Sequence, residues 1–448
     1  MDDNMESMGD RREKELCDAL IRRFGRNCVY HSPKVYVHGQ EKELGDVVIL
    51  ALPYMIVFQS KWKKLTSADL CGNRGDLYKS RLVKTLQKAA GQFKELASSL
   101  SQKATVELPQ VWFPGSGATY QFPLELVSYV SPIVVVDFED EKYDNPNERF
   151  EGVQPVVTEV PSQIRSWGIV HSFLLQDFYR IIDQLFTVGD LLYWLKEREK
   201  ILCGAKRSII GYTELTLFAM YLQNDSGWQT LNKADCVFFV GNDNFERMTK
   251  GMRKEFEKRQ KIFGRRNFLD AIDETMVRSL VVGGESNRNA AILSYLSCQG
   301  RLLCCTAITK RAMSLKLKSH LGCYKKGGKA FRGAFAIAGE SMPLMGTVFY
   351  YGIAPYETQR NALEYFARAY VRTLAVLRDQ KLEKMAKEVL VLFVQSDTRH
   401  VFCMLKKIED EDYRRISREK VVSRAMYLKA KRDANLSEWD VVRRETCI

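Results

Sequence analysis

The spacing of apolar and polar residues predicts an α/β fold in the first part of the chain. Apolar residues recur at helical spacing over residues 11–24, a pattern typical of a short amphipathic helix. Two β-branched and aromatic runs follow, at 47–52 and 55–62, and Pro53 and Tyr54 separate them. Short apolar runs around such a break predict a β-hairpin.

The pattern continues with a helix and a strand. We expect a helix over 69–100 and a buried strand over 126–137, in which Pro132 indicates a break or an edge position. The polar segment 139–159 contains two prolines and a run of charges, which predicts a long loop. The sheet is expected to resume near residue 168, where a second apolar run begins.

The remaining elements suggest two domains. Thr187 and Asp190 form a predicted capping box at the start of a helix, and 204–210 is the expected linker. We therefore expect an N-terminal domain over 1–205 and a basic C-terminal α+β domain over 206–448. The individual predictions are helices over 174–185, 188–202, 213–222, 247–263 and 358–380, strands near 236, 347, 389 and 401, and a charged helical tail from about residue 410.

Composition narrows the class of protein. The 448 residues are 46% hydrophobic and 11% aromatic, which provides for a large core and excludes wholesale disorder. No apolar run approaches the roughly 18 to 20 residues that span a bilayer, and the first 25 residues lack an apolar signal core. We therefore expect a cytoplasmic protein without membrane contact, whose 11 cysteines are reduced thiols.

The positive charge is concentrated in one stretch of the chain. The net charge is +13, and residues 241–340 alone hold 20 Lys and Arg against nine Asp and Glu. Such a cluster suits the neutralisation of nucleic-acid phosphates, although a solvated surface with acidic neighbours from elsewhere in the fold is the alternative. The candidate nucleic-acid contacts are Lys310, Arg311, Lys316, Lys318, Lys325, Lys326 and Lys329.

Two other chemistries in this stretch are not supported. The segment GCYKKGGKAFRG from Gly322 has the register G-x4-G-G-K-A, in which the Gly-Lys pair of a phosphate-binding P-loop is out of place and its Ser or Thr is missing, so a flexible basic loop is expected. The cysteines at 298, 304, 305 and 323 do not have the spacing of a zinc site, and buried apolar positions explain them better.

The candidate chemistry lies in the predicted hairpin. Asp46 begins its first strand, and Gln59 and Lys61 close the second. Alternate residues of a strand share a face, so Gln59 and Lys61 point the same way. Phosphodiester hydrolysis needs a metal ion, an activated water and neutralisation of the developing charge. Asp46 would bind Mg²⁺, Gln59 would offer a neutral oxygen ligand, and Lys61 would orient the water or hold the phosphate.

Helical periodicity selects a third oxygen ligand. At about 100° per residue, Glu13 lies on the apolar stripe of the first helix, whereas Glu15 lies on the opposite side. An acidic side chain on the buried face of a helix needs an explanation. We therefore expect Glu13 to join Asp46 and Gln59 at the metal.

At these residues the chain resembles the PD-(D/E)XK nuclease superfamily, and within it the Mrr-type restriction enzymes and the archaeal Holliday-junction resolvases. The opening helix of that family is similar to EKELCDALIRRFG, which contains Glu13. Its Asp and Q-x-K motifs are similar to ELGDVVI and FQSKW. The helix that follows the motif in the Mrr branch is similar to KAAGQF, where the resemblance places Gln92 beside the active site and the nucleic acid.

The resemblance implies a restriction-endonuclease-like domain, with a mixed sheet flanked by helices, over about residues 10–135. It also implies hydrolysis of phosphodiester bonds that depends on Mg²⁺ or Mn²⁺, with DNA as the favoured partner, and by analogy a role in prokaryotic antiviral defence. The chain departs from the family pattern at two positions. Gln59 replaces the usual second acidic ligand, and Gly45 replaces the proline before Asp46.

Two other functions stay open. The protein could be a catalytically inactive nucleic-acid-binding protein that kept the nuclease fold, with Gln59 as the sign of lost activity. It could also be the nuclease subunit of a multi-protein defence complex, in which the C-terminal half docks a partner. Double-strand cleavage would suggest a homodimer. His31 and His38 flank the expected metal edge and could contact substrate, although loop histidines are the commoner case.

Overall fold

The computed structural model is a mixed α/β structure in which helices flank mixed sheets. The chain divides into two compact units, residues 1–186 with 194–258 and residues 187–193 with 259–448. The domain boundary expected after residue 205 stays a prediction. The structure describes residues 8–37, 40–64, 74–99, 105–109, 119–139, 166–202, 208–210, 214–223, 236–238, 257, 259–263, 288–325, 332–337, 346–354, 369–378, 383–384, 386–395 and 401–418.

The main sheet of the first unit has the strand order β1-β4-β5-β8-β10, and the short strand β9 also pairs with β8. Strands β1, β4 and β5 are antiparallel neighbours, whereas β5, β8 and β10 run parallel. The six strands are β1 (Val29–His31), β4 (Val47–Ala51), β5 (Tyr54–Lys64), β8 (Tyr129–Glu139), β9 (Ser166–Trp167) and β10 (His171–Leu174).

Helices cover this sheet because their apolar stripes match its buried strands. Helix α1 (Met8–Phe24) buries Leu16, Cys17 and Leu20 and packs on β1 and β5. Helix α2 (Arg74–Ser99) connects β5 to the second sheet. Helices α3 (Leu175–Ile182), which packs on β8, and α5 (Glu214–Gln223) also belong to the first unit. A further helix is shared by both units. The predicted first helix and hairpin are confirmed.

A second, antiparallel sheet was not expected from the sequence. Its strand order is β3-β2-β6-β7, with β2 (Lys34–Val37), β3 (Gln40–Glu43), β6 (Thr105–Pro109) and β7 (Thr119–Pro123). The Tyr30 hydroxyl of β1 and the Tyr120 hydroxyl of β7 lie 3.0 Å apart and join the two sheets. These strands are four or five residues long and mostly polar, so the hydrophobic pattern did not reveal them.

Two predictions for the first unit need correction. Strand β8 is not broken at Pro132, which pairs with Val57 of β5. On the other side of β8 the pairing does stop there, since β9 ends opposite Val130 and β10 begins opposite Ile133. This gap accommodates the missing N–H of proline. The expected linker is also partly structured, because β11 (Ser208–Ile210) pairs in parallel with β12 (Cys236–Phe238). The expected loop at 139–159 lies, from residue 140 onward, outside the described residues.

The shared helix α4 (Val188–Leu202) begins in the second unit with its predicted capping box. The Asp190 amide donates to Thr187 Oγ1 at 3.0 Å, and the Thr187 amide donates to Asp190 Oδ2 at 3.0 Å. Asp190 Oδ1 also accepts the amide of Ala307 at 3.1 Å. One carboxylate therefore caps two helices.

The second unit contains a four-stranded mixed sheet with the order β13-β14-β15-β16. Its strands are β13 (Arg332–Ile337), β14 (Thr347–Ala354), β15 (Glu388–Gln395) and β16 (Val401–Lys407). Residues 259–263 and 369–378 are helical, and α6 (Arg288–Leu303), α7 (Ala307–Lys325) and α8 (Asp410–Arg418) also belong to this unit. The expectation of a loop from Gly322 is wrong as far as Lys325, because the last turn of α7 includes these residues.

Candidate active site

The site begins where strands β4 and β5 stop pairing as a regular ladder. The last paired residues are Val47 and Phe58. Next to them, the Asp46 amide donates to the Phe58 carbonyl at 3.0 Å, and the Ser60 amide donates to Asp46 Oδ2 at 2.5 Å. The Asp46 carboxylate thus takes the place of a backbone carbonyl as the acceptor for the Ser60 amide of β5. This bond fixes the orientation of Asp46, which is only 6% exposed.

Gly45 allows the two strands to approach this closely. A Cβ atom at this position would lie 2.5 Å from Val57 Cγ1 and 3.1 Å from the Phe58 carbonyl oxygen. Any other residue, proline included, would require the Val57 side chain to move and the Phe58 carbonyl to shift by a few tenths of an ångström. The glycine before Asp46 therefore has a local steric explanation in this chain.

Gln59 and Lys61 share one face of β5, as side-chain alternation predicts. The Lys61 ammonium donates to Gln59 Oε1 at 2.7 Å and lies 3.9 Å from Asp46 Oδ2. Because an ammonium group only donates hydrogen bonds, the atom facing it is the carbonyl oxygen of the amide. Gln59 therefore directs its oxygen at Lys61, and the structure brings Asp46, Gln59 and Lys61 together.

Glu13 interacts electrostatically with this group from helix α1. Burial, and then the nearby Asp46 and Glu43 carboxylates, raise the pKa of Glu13 to about 7, while Lys61 opposes the shift. Burial also raises the pKa of Asp46 to about 6, against the opposing effects of Lys61 and of the hydrogen bond from the Ser60 amide. One ammonium group thus faces two carboxyl groups whose ionised forms are both disfavoured.

Glu15 has a different environment on the same helix. Its carboxylate accepts hydrogen bonds from Arg12 Nη1 at 2.7 Å and from Arg11 Nε at 3.1 Å. These bonds lower the pKa of Glu15, with the bond from Arg12 as the largest cause. Of the two glutamates that the periodicity compared, Glu13 is thus the one whose charge interacts with Asp46.

The donor set suits a hard divalent cation. Magnesium in proteins is commonly held by one or two carboxylates together with water and substrate phosphate oxygens, and Asp46 and Glu13 provide two carboxylates. A cation between them would offset the cost of ionising both groups. Within the described part of the chain, no group of three or more His, Cys, Asp or Glu side chains is arranged to hold a metal.

The basic cluster is less uniform than its sequence suggests. Lys310 is only 7% exposed, and Arg311 donates to the Ile262 carbonyl at 2.8 Å. Arg301 pairs through two nitrogens with Glu388, at 2.8 Å each. Part of this charge therefore has partners within the fold of the second unit.

The other candidate contacts differ in accessibility. On α7, Lys318 is exposed and Lys316 is partly exposed, and Lys325 ends the helix. Lys326 and Lys329 lie outside the described residues. Gln92 lies on the exposed side of α2. Their contact with nucleic acid stays a prediction.

Of the two histidines that the sequence placed beside the expected metal site, the structure describes His31. His31 is exposed at the end of β1 and pairs with Val47, next to Asp46. The adjacent Ser32 amide donates to the Asp46 carbonyl at 2.9 Å. His31 is thus near the site, whereas His38 lies outside the described residues.

Sequence reasoning missed several groups that shape the site. The Ser60 amide acts through the backbone, so no residue pattern could reveal it. Glu43 lies in a polar strand that the hydrophobic pattern did not detect. Arg12 and Asp137, which form an ion pair at 2.8 Å, are 125 positions apart. Gly45, which lies just before β4, was an available signal, because glycine next to a strand permits close approach of another backbone segment.

Comparison of the chain with protein-family models, with curated proteins and with solved structures found no match. None of the described helices has the length and apolar character that a membrane span requires. The geometry of the site and the resemblance carried by its motifs are therefore the basis on which a function can be proposed.

Proposed function

We propose that this protein is a metal-dependent nuclease that hydrolyses phosphodiester bonds in nucleic acid, with DNA as the favoured substrate. The observation that carries the proposal is that Asp46 and Lys61 lie 3.9 Å apart, with Glu13 close enough to interact electrostatically with both. Two acidic side chains with an adjacent lysine are the residue types that phosphodiester hydrolysis with a metal ion requires.

The order of elements around the site supports the PD-(D/E)XK resemblance. Helix α1 precedes the antiparallel strands β1, β4 and β5, and α2 precedes β8, which lies parallel to β5. The family has the same sequence of helix, antiparallel strands, helix and parallel strand. In this interpretation the first unit contains the restriction-endonuclease-like domain, and the unexpected second sheet is an addition to it.

Each site residue has a chemical role in the proposed reaction. Asp46 and Glu13 would hold Mg²⁺ or Mn²⁺, with Asp46 oriented by the Ser60 amide. The bound ion supplies Lewis-acid polarisation of the scissile phosphate and of the attacking water. Lys61 would hold the phosphate or orient that water, and Gln59 keeps Lys61 in place through the bond at 2.7 Å. Metal ligation by Gln59 stays a prediction, for which its oxygen keeps a second lone pair beside the bond from Lys61.

Capture of the substrate is assigned to basic side chains of the second unit. Lys316 and Lys318 are accessible on α7, and phosphate contacts of this kind depend on salt and little on sequence. We place the reaction in the cytoplasm and, by analogy with Mrr-type enzymes, in antiviral defence. Cleavage of both strands would call for a homodimer or a partner protein.

A non-catalytic nucleic-acid-binding function is the alternative. The observation that favours it is Gln59, whose neutral side chain leaves the metal with one acidic ligand fewer than the family pattern provides. A protein of this kind would bind nucleic acid and leave it intact with every divalent cation. A nuclease subunit of a larger defence complex would cleave only when its partner is present.

A cleavage assay separates these functions. Purified protein is incubated with Mg²⁺ or Mn²⁺ and with labelled single- and double-stranded DNA and RNA. We expect cleavage of at least one substrate, and its loss in Asp46→Asn and Lys61→Ala while binding persists. Arg11→Gln, an exposed change on α1, serves as the matched control. Cleavage that persists in both site variants would disprove the assignment.

A further inference from the structure

An ion pair ties helix α1 to the far end of strand β8. Arg12 Nε lies 2.8 Å from Asp137 Oδ2, while Arg12 Nη1 binds Glu15 at 2.7 Å. The side chains of Arg12 and Asp137 are 29% and 12% exposed. A charge pair with this degree of burial is screened much less by salt than a surface pair. Arg12 therefore connects its own helix with the sheet.

The strand position of Asp137 relates this pair to the candidate site. In the parallel ladder between β5 and β8, Asp137 pairs with Trp62 and Val136 pairs with Lys61. Asp137 is thus one position along the strands from Lys61, on the opposite face of the sheet because side chains alternate along a strand. On the helix, Arg12 directly precedes Glu13, so both ends of the connection lie next to residues of the site.

We propose that Arg12 is a positioning residue that, through Asp137, holds the start of α1 so that Glu13 faces Asp46. This inference deepens the proposed function and rests on it. The first turns of a helix lack part of their internal hydrogen bonds and fray readily. Arg12 lies near the start of α1, so its ion pair with Asp137 attaches this end of the helix to the sheet.

The affinity for Mn²⁺, measured by isothermal titration calorimetry, tests the proposal. Arg12→Gln and Asp137→Asn are each expected to weaken binding about tenfold, the lower end of the effect for residues that orient metal ligands. The double variant should be no weaker than either single variant. Arg11→Gln is the matched control, because Arg11 binds the same Glu15 without touching Asp137 in the described contacts.

The same substitution in Glu13→Gln protein distinguishes positioning of Glu13 from general support of the fold. In Glu13→Gln protein, Arg12→Gln should cause no further loss of Mn²⁺ affinity, because the group that it positions is already altered. An equal tenfold loss in both backgrounds would overturn the proposal. An effect of Arg11→Gln as large as that of Arg12→Gln would also overturn it.

The outcome can be distinguished from failure of the proposed function. Absence of Mn²⁺ binding by the wild-type protein would contradict the nuclease assignment, and the positioning role is then tested without metal. Glu13→Gln and Asp46→Asn should be coupled in urea unfolding at pH 8, because the two carboxylates repel. Arg12→Gln should abolish that coupling. Coupling that persists unchanged in Arg12→Gln protein would overturn the proposal.

Discussion

Two buried charge clusters in the first unit differ in how well their charges are compensated. In one, Arg198 is fully buried and donates from Nε and Nη2 to the two carboxylate oxygens of Glu214, at 2.8 Å each. In the other cluster, the carboxyl groups of Asp46 and Glu13 both interact with the ammonium group of Lys61.

The Arg198 cluster satisfies its remaining donors as well. Arg198 Nη1 lies 3.1 Å from His171 Nδ1, and Nη2 donates to the Ser172 carbonyl at 3.3 Å. Because guanidinium only donates, Nδ1 accepts and the imidazole is neutral. Burial, and then the Arg198 charge, lower the pKa of His171 well below its ordinary value. Four of the five N–H groups of Arg198 thus donate to acceptors within the fold.

The comparison shows how a structural charge cluster can be told from a site. Buried charges that serve the fold are paired within the protein. At Asp46 and Glu13 the pKa of each carboxyl group is raised, which means that folding makes each of them harder to ionise. Uncompensated ionisable groups of this kind concentrate at functional sites. The difference supports a cation as the missing partner.

The largest expected change in stability follows substitution in the Arg198 cluster. Arg198→Met should lower the free energy of unfolding by about 3 to 5 kcal/mol, because it leaves the Glu214 carboxylate buried without its partner. The double variant Arg198→Met/Glu214→Leu should recover most of that loss, since no buried charge remains. Urea unfolding measures both. A double variant as unstable as the single one would show that the pair itself stabilises the fold.

At the candidate site, by contrast, we expect a substitution to stabilise the metal-free protein. Asp46→Asn should raise the free energy of unfolding of metal-free protein at pH 7.5 by about 1 to 2 kcal/mol. The folded-state pKa of about 6 exceeds the unfolded value, so wild-type stability falls as the pH rises through it. The gain should therefore be small at pH 4 and complete above pH 7. A gain that is independent of pH would contradict the raised pKa.

Metal affinity should depend steeply on pH. Protons compete with the cation at Glu13 and Asp46, whose pKa values are about 7 and 6. Mn²⁺ affinity should therefore fall about tenfold between pH 7.5 and pH 6, and Glu13→Gln should show a shallower dependence. Calorimetric titration at several pH values measures this. Affinity that does not change over this range would place the binding ligands elsewhere.

The smallest expected effect concerns exposed charge. Lys318→Gln should reduce the salt dependence of DNA affinity by about one counterion, because this side chain is accessible on α7. Lys384→Gln, an exposed change elsewhere in the second unit, is the control. Fluorescence anisotropy at several salt concentrations measures the slope. Equal slopes for both variants would show that Lys318 belongs to an ordinary solvated surface and not to a DNA-binding one.

Local patterns predicted the elements of the site better than its surroundings. Helix α1, the hairpin of β4 and β5, and the capping box at Thr187 follow from periodicity and short-range chemistry, and the structure contains all three. Side-chain alternation along β5 correctly put Gln59 and Lys61 on one face. Each of these features depends on residues close together in the chain.

The features that sequence did not reveal depend on distant residues or on the backbone. Strand β2 is four residues long and pairs with β6, about 70 positions later, so its stability comes from tertiary contacts. Charge counting along the chain could not pair Arg301 with Glu388, because the two side chains meet only in the folded protein. The balance of charge at Asp46 and Glu13 likewise becomes visible only when burial is known.

The most direct test of the account is to locate a bound metal ion. Crystals of the protein soaked in Mn²⁺ should show an anomalous-difference peak within about 2.3 Å of carboxylate oxygens of both Asp46 and Glu13. In crystals of Asp46→Asn this peak should be lost or greatly weakened. Mn²⁺ bound elsewhere, with none between Asp46 and Glu13, would contradict the claim that these carboxylates form a metal site.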